Sequence, residues 1–254
     1  MTVELIYVFL VVPAFLTAMI DIIFGMGFGL TLTPILLLLG FPAHEIVPAL
    51  LFSSLMGNIF SSVFNHKFKN VDFSLCSKHF NMSIVIGALG IAGSIIGASV
   101  SIGISNFYLG LYIGILIVGL GLFLLLNKKL KATFSWIKLV FLSLFGSFNK
   151  GISGSGFGPV VTTGMIIMDV DEKAAVSIQT FSELFVSISG FLTFVLAGSQ
   201  ISWNLVLPLS IGVVISTPLA AFVVHKFESK KLRTAIAMAT VALGIVTLLS
   251  VFWK

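Results

Sequence analysis

Apolar residues run along this chain in blocks, many of them close to the roughly 20 residues an α-helix needs to cross about 30 Å of hydrocarbon. The blocks are broken by charge, proline or glycine and fall at 5–24, 28–41, 45–64, 80–102, 106–126, 136–153, 157–168, 174–197, 203–224 and 232–252. Leu109 to Leu126 is apolar on every face, which argues against the alternating pattern of a membrane β-barrel and predicts helices. Blocks 28–41 and 157–168 are too short for a comfortable crossing and read as re-entrant or half-membrane helices. The pattern predicts an all-α integral membrane protein of about eight spans plus two short half-membrane helices.

The two short blocks open alike, with Gly25-Met26-Gly27-Phe28-Gly29 and Gly154-Ser155-Gly156-Phe157-Gly158. Gly154 lies 129 residues after Gly25, and the same offset sets Thr33 on Thr162, Val47 on Val176, Phe52 on Phe181, Ser53 on Ser182 and Leu55 on Leu184. Gap-free agreement of this length predicts an internal duplication. The expected organisation is a first transmembrane repeat at 1–126, a basic cytoplasmic linker at 127–135 and a second repeat at 136–254.

Charge orients the halves. Only 9% of the residues are charged and 58% are hydrophobic, whereas an ordinary soluble domain holds roughly 25% charge. The net charge of +5 sits in short clusters between apolar blocks, which predicts cytoplasmic loops and no nucleic-acid partner. The loop near 65–79 carries Lys67, Lys69 and Lys78, and the linker carries Lys128, Lys129 and Lys131. In the second half the loop at 198–202 is uncharged, and the next one carries Lys226, Lys230, Lys231 and Arg233. The alternation inverts, so the positive-inside rule predicts inverted repeats. The first block has no basic segment before it, only Glu4, and is read as a retained span rather than a signal peptide.

The motifs resemble the TauE/SafE family of sulfite exporter-like permeases for sulfur-containing anions. The likeness rests on Gly25 to Gly29 with Pro34 and the run Ile35 to Leu39, then Gly40-Phe41-Pro42, Ala49 and Ser53-Ser54, then His66-Lys67-Phe68-Lys69-Asn70-Val71-Asp72-Phe73. It covers both halves. Met26, Phe28, Ser155 and Phe157 interrupt the glycine runs, and Thr163 stands where the first half has Pro34, so this is a divergent member. The resemblance implies a permease of sulfur oxyanions or organosulfonates built from duplicated four-span units, which would leave the halves parallel. The charge pattern implies inverted halves, and both arrangements stay open at this stage.

Glycine-rich breaks inside a membrane expose backbone groups that must line a cavity or be buried in protein. Helices starting at Gly29 and Gly158 would aim their amide ends at the midplane, where an anion is stabilised. Gly25, Gly27, Gly29, Gly154, Gly156 and Gly158 are therefore candidate substrate-binding positions; the alternative is that they only permit close packing. Asp21 and Lys150, each four residues before its break, are expected either to pair with each other or to divide the work, Lys150 binding the anion and Asp21 titrating. Glu183 is the first choice for a proton-coupling carboxylate. Thr33, Ser53, Thr162, Gln179 and Ser182 are candidate hydrogen-bonding groups for the substrate, or else bond their own helices.

His44, His66, His79 and His225 lack metal-ligand spacing, Cys76 has no partner, and no phosphate-binding loop is present, so neither metal nor cofactor is expected. No nucleophile, base and orienting group fall together, and an enzyme is the least supported class. The reading is a secondary transporter of a small anion in the cell membrane of a prokaryote: sulfite, thiosulfate or an organosulfonate, driven by a proton or sodium gradient through alternating access. A homo-oligomer is compatible with it. A passive channel and a non-transporting membrane partner are the alternatives.

Overall fold

The structure, a computed structural model, describes residues 9–101 and 133–252 and isolated positions between 108 and 126. Among them the chain forms α1 (Val11–Phe24), α2 (Phe28–Leu38), α3 (Ala43–Lys67), α4 (Lys78–Ser101), α5 (Trp136–Ser153), α6 (Phe157–Ile167), α7 (Glu172–Leu196), α8 (Trp203–Lys226) and α9 (Ser229–Phe252). The described positions between 108 and 126 are helical too, and no strand occurs among the described residues. Lys128, Lys129 and Lys131 of the expected linker lie outside them.

Among the described residues four helices, α3, α4, α7 and α8, are long and apolar enough to cross a membrane. At 14 and 11 residues, α1 and α6 are shorter apolar helices. The breaks foreseen at the glycines are where α1 gives way to α2 and α5 to α6. Local chemistry sets other boundaries. Asp171 caps α7, its carboxylate accepting the amides of Lys173 at 3.0 Å and Ala174 at 3.1 Å. Pro218 inside α8 frees the carbonyl of Val214, and the Thr217 hydroxyl donates to it at 2.8 Å.

The bundle has an apolar outside and polar groups within. On α8, Leu207, Ile211, Ile215 and Leu219 recur every four residues and are each at least half exposed, while Gly212, Ser216, Thr217 and Ala220 on other faces are buried or nearly so. Such a surface suits lipid. Small residues bring backbones together: a Cβ on Gly93 or Gly97 of α4 would strike the backbone of α5, and one on Gly212 of α8 would meet the carbonyl of Val11 and Ala14 of α1. Packing is exchanged along the chain, for α4 lies against α5 and α7 while α8 lies against α1 and α3.

α3 and α7 run antiparallel. Leu51 meets Gly190, and Phe52 meets Phe191 with ring centroids 5.1 Å apart. At the opposite end of the pair, Phe68 beyond α3 packs on His225, whose carbonyl accepts from the Lys173 ammonium at 2.8 Å. Lys67, Lys69, Lys78, Lys173 and Lys226 thus gather at one end of the bundle. The other end is closed by Trp203 against Phe52, beside Phe41 and Ile201. Outside the spans, Asp72 accepts the Ser74 hydroxyl at 2.6 Å and the Ser74 amide at 2.9 Å, contacts that hold its carboxyl below the usual range.

Candidate functional site

Each of the short helices α2 and α6 is set by the same backbone device. α1 ends at Gly25, left-handed at φ 73°, with its amide donating to the Asp21 carbonyl at 2.7 Å. α5 ends at Gly154, φ 71°, with its amide donating to the Lys150 carbonyl at 2.8 Å. Two residues on, Gly27 and Gly156 again take positive φ, at 139° and 88°. These are angles that side chains rarely adopt, so the chain can turn and restart as α2 and α6.

The two breaks cross in contact. A Cβ on Gly29 would stand 2.6 Å from the Gly154 carbonyl oxygen, and one on Gly158 would collide with the Gly25 carbonyl oxygen. First-half glycine meets second-half carbonyl and the reverse. The Thr162 hydroxyl fills the place that a Cβ on Gly25 would occupy.

Three charged side chains line the small cavity at this crossing: Asp21 from α1, Lys150 from the last turn of α5 and Glu183 from the middle of α7. Lys150 is 3% exposed and Glu183 5%. The Lys150 ammonium lies 2.6 Å from one Glu183 carboxylate oxygen and donates to the Ser54 hydroxyl at 3.3 Å. Gln179 donates to the other Glu183 oxygen at 2.6 Å. Of the two arrangements left open for Asp21 and Lys150, direct pairing is not the one seen: Lys150 pairs with Glu183. Asp21 turns to the N-terminus of α2 and accepts the Phe28 amide at 3.2 Å.

This leaves the two helix starts unequal. The first amide of α2 is taken by the chain's own carboxylate, whereas α6 starts at Gly156 without a side-chain cap and faces the cavity through Gly156, Phe157 and Gly158. The cavity also touches Gly27, Gly29 and Ser155 and measures about 10 Å³, room for about one water.

The remaining candidates divide. Gln179 belongs to the charged cluster. Ser53 points into the α3–α8 contact, 3.2 Å from the Ser210 hydroxyl and 3.4 Å from the Val206 carbonyl. Ser182 likewise bonds the Ser83 carbonyl of α4 at 3.0 Å and its own helix at Ile178. Both hold helices together and do not line the cavity. Thr33 and Thr162 carry buried hydroxyls with no hydrogen-bond partner, as do Thr31 and Thr163. Ser54, which enters the sequence reading only through the Ser53-Ser54 motif, is the hydroxyl on Lys150; the offset of 129 that sets it on Glu183 is the signal that could have found it.

A helical bundle with a lipid-suited exterior, and with charge enclosed at two helix breaks, defines an integral membrane transporter. The chain belongs to the sulfite exporter TauE/SafE family, whose model matches residues 10–247. It is similar to YtnM of Bacillus subtilis (strain 168), a probable membrane transporter protein, at 25% identity over 225 residues that cover 84% of this chain and 73% of that protein. No solved structure matches the chain. The family is one of transporters, and the chain is not an enzyme.

Proposed function

We propose that the chain is a secondary permease for a small anion, of the sulfite, thiosulfate or organosulfonate class, coupled to a proton or ion gradient and working by alternating access in the cell membrane. The observation that carries this reading is Lys150, an ammonium buried where two glycine breaks cross and beside the uncapped start of α6. Buried charge is expensive in a membrane and marks a solute path. Lysine and the amide end of a helix together favour an anion.

The halves, 1–126 and 136–254, are read as inverted repeats joined by a basic linker. The reciprocal contacts of Gly29 with Gly154 and of Gly158 with Gly25 support a two-fold relation between them. So does the antiparallel course of α3 and α7, which the duplication makes equivalent. By the positive-inside rule the end carrying Lys67, Lys69, Lys78 and Lys226 is cytoplasmic. With room for about one water, the cavity admits an anion only after the helices around the breaks part, which accords with alternating access.

The test is flux into liposomes. A pH step or an ion gradient should drive sulfite or a sulfonate uphill in the wild type, and Lys150→Met should abolish it. Downhill movement that no gradient can reverse would make the protein a passive channel.

A further inference from the structure

We propose that Glu183 stands in for the substrate: in the empty transporter its carboxylate occupies the anion position on Lys150, and an anion binds only as Glu183 takes up a proton. The inference rests on the permease reading and adds a rule of coupling to it.

The geometry leaves an incoming anion no free cation. Among the described residues Lys150 is the one cation lining the cavity, and its ammonium is already held by Glu183 at 2.6 Å and Ser54 at 3.3 Å. A space for about one water does not admit an anion alongside the carboxylate. Asp21 from α1 faces the same cavity while it accepts the Phe28 amide, so two carboxyl groups and one ammonium line the space. Among the described residues, α4, α6 and α9, which also pack on α7, bring no charged side chain to the cavity. A further negative charge beside the Glu183 carboxylate in so buried a place is opposed by electrostatics, and the anion must therefore displace Glu183 rather than join it.

Displacement fixes the proton count. A carboxylate moved off Lys150 remains within a buried helix, where an unpaired charge costs several kcal/mol, and protonation removes that charge. The exchange balances: the Lys150–Glu183 ion pair, an anion and a proton give a Lys150–anion pair and a neutral Glu183 acid. For a monoanion the net charge of the site is unchanged. Gln179 serves both states, since its amide donates to the carboxylate at 2.6 Å and, turned over, offers an oxygen to the acid's O–H.

Proton uptake on binding tests this in purified, detergent-solubilised protein held in weak buffer with a pH-indicator dye. Methanesulfonate, ionised throughout, is the main probe, beside sulfite and thiosulfate. The wild type should take up about one proton per methanesulfonate bound, and affinity should strengthen about tenfold per unit fall in pH. Glu183→Gln should bind more tightly at neutral pH, with no proton uptake and no such slope. Proton-free binding by the wild type, or a slope that survives in Glu183→Gln, would overturn the inference while leaving an anion site in place. If that variant fails to fold, the wild-type proton count decides alone. If none of the three anions shifts the wild-type melting temperature at any pH, the permease reading itself fails, and the coupling rule with it.

Discussion

Adding one methyl group at the crossing should separate the two breaks. In Gly29→Ala the new Cβ stands 2.6 Å from the Gly154 carbonyl oxygen, 2.9 Å from Ser155 Cβ and 3.3 Å from the Gly154 carbonyl carbon. Even a weak carbon–oxygen contact sits at about 3.3 Å or more, so the breaks must part by about 0.7 Å. In Gly158→Ala the obstacle is again backbone, the Gly25 carbonyl with Met26 Cα at 3.2 Å, and backbone cannot rotate aside. Overpacking of this kind costs about 1–3 kcal/mol. Alanine's better helix propensity returns up to about 1 kcal/mol in a helix interior and less at a first turn, so a net loss remains. Gly119→Ala is the control, because among the described residues nothing lies within 4 Å of a Cβ placed there. Chemical unfolding in detergent and flux in liposomes should show both crossing variants destabilised, with flux down at least about tenfold, the rate equivalent of 1.4 kcal/mol. The control should match the wild type. Since both substitutions push apart the same contact, the double variant should lose less than the sum of the singles. Wild-type stability and flux in both single variants would mean that the breaks do not touch in the working protein.

The buried ion pair predicts a particular double-mutant cycle. Lys150→Met or Glu183→Met alone should cost about 3–5 kcal/mol in unfolding measurements, while the double replacement should recover most of that loss, because breaking a pair strands a charge and removing it does not. Asp21→Ala should cost about 1 kcal/mol by freeing the Phe28 amide, whereas Asp21→Asn retains an acceptor and should cost less; equal losses would remove the capping role. Single cysteines at 68 and 200, in a background where the exposed Cys76 is serine, should be labelled from opposite sides of the membrane. Labelling from one side would refute the inverted halves.

Much of the helical layout was legible because lipid makes the signal strong: apolar blocks bounded by Lys, Pro and Gly correspond closely to the observed helices, and both glycine breaks fall at the motifs. The breaks were readable because positive φ strongly favours glycine. The wiring of the charged site was not. Lys150 and Glu183 are 33 residues apart on different helices, and only the packing of α5 with α7 brings them together. Asp21 appeared equivalent to Lys150 by offset, yet opposite charge gave the two positions different work, one capping a helix and the other holding a carboxylate. Ser53 and Ser182 left two readings open, substrate hydrogen bonds or bonds to helix carbonyls, because a hydroxyl's partner depends on which helix packs against it; the structure sets both on carbonyls of neighbouring helices.

The crossed packing of α4 on α5 and α7, and of α8 on α1 and α3, bears on how the chain is made. When α4 leaves the ribosome its partners have yet to be synthesised, and α1 and α3 must wait for the stretch beyond residue 203. A nascent chain halted after α7 would leave Ser53 and the backbone around Val11 without the helix they rest on. Completion of the fold is therefore a late event, and a chain cut between its halves should regain activity only when both pieces are produced together in the same membrane.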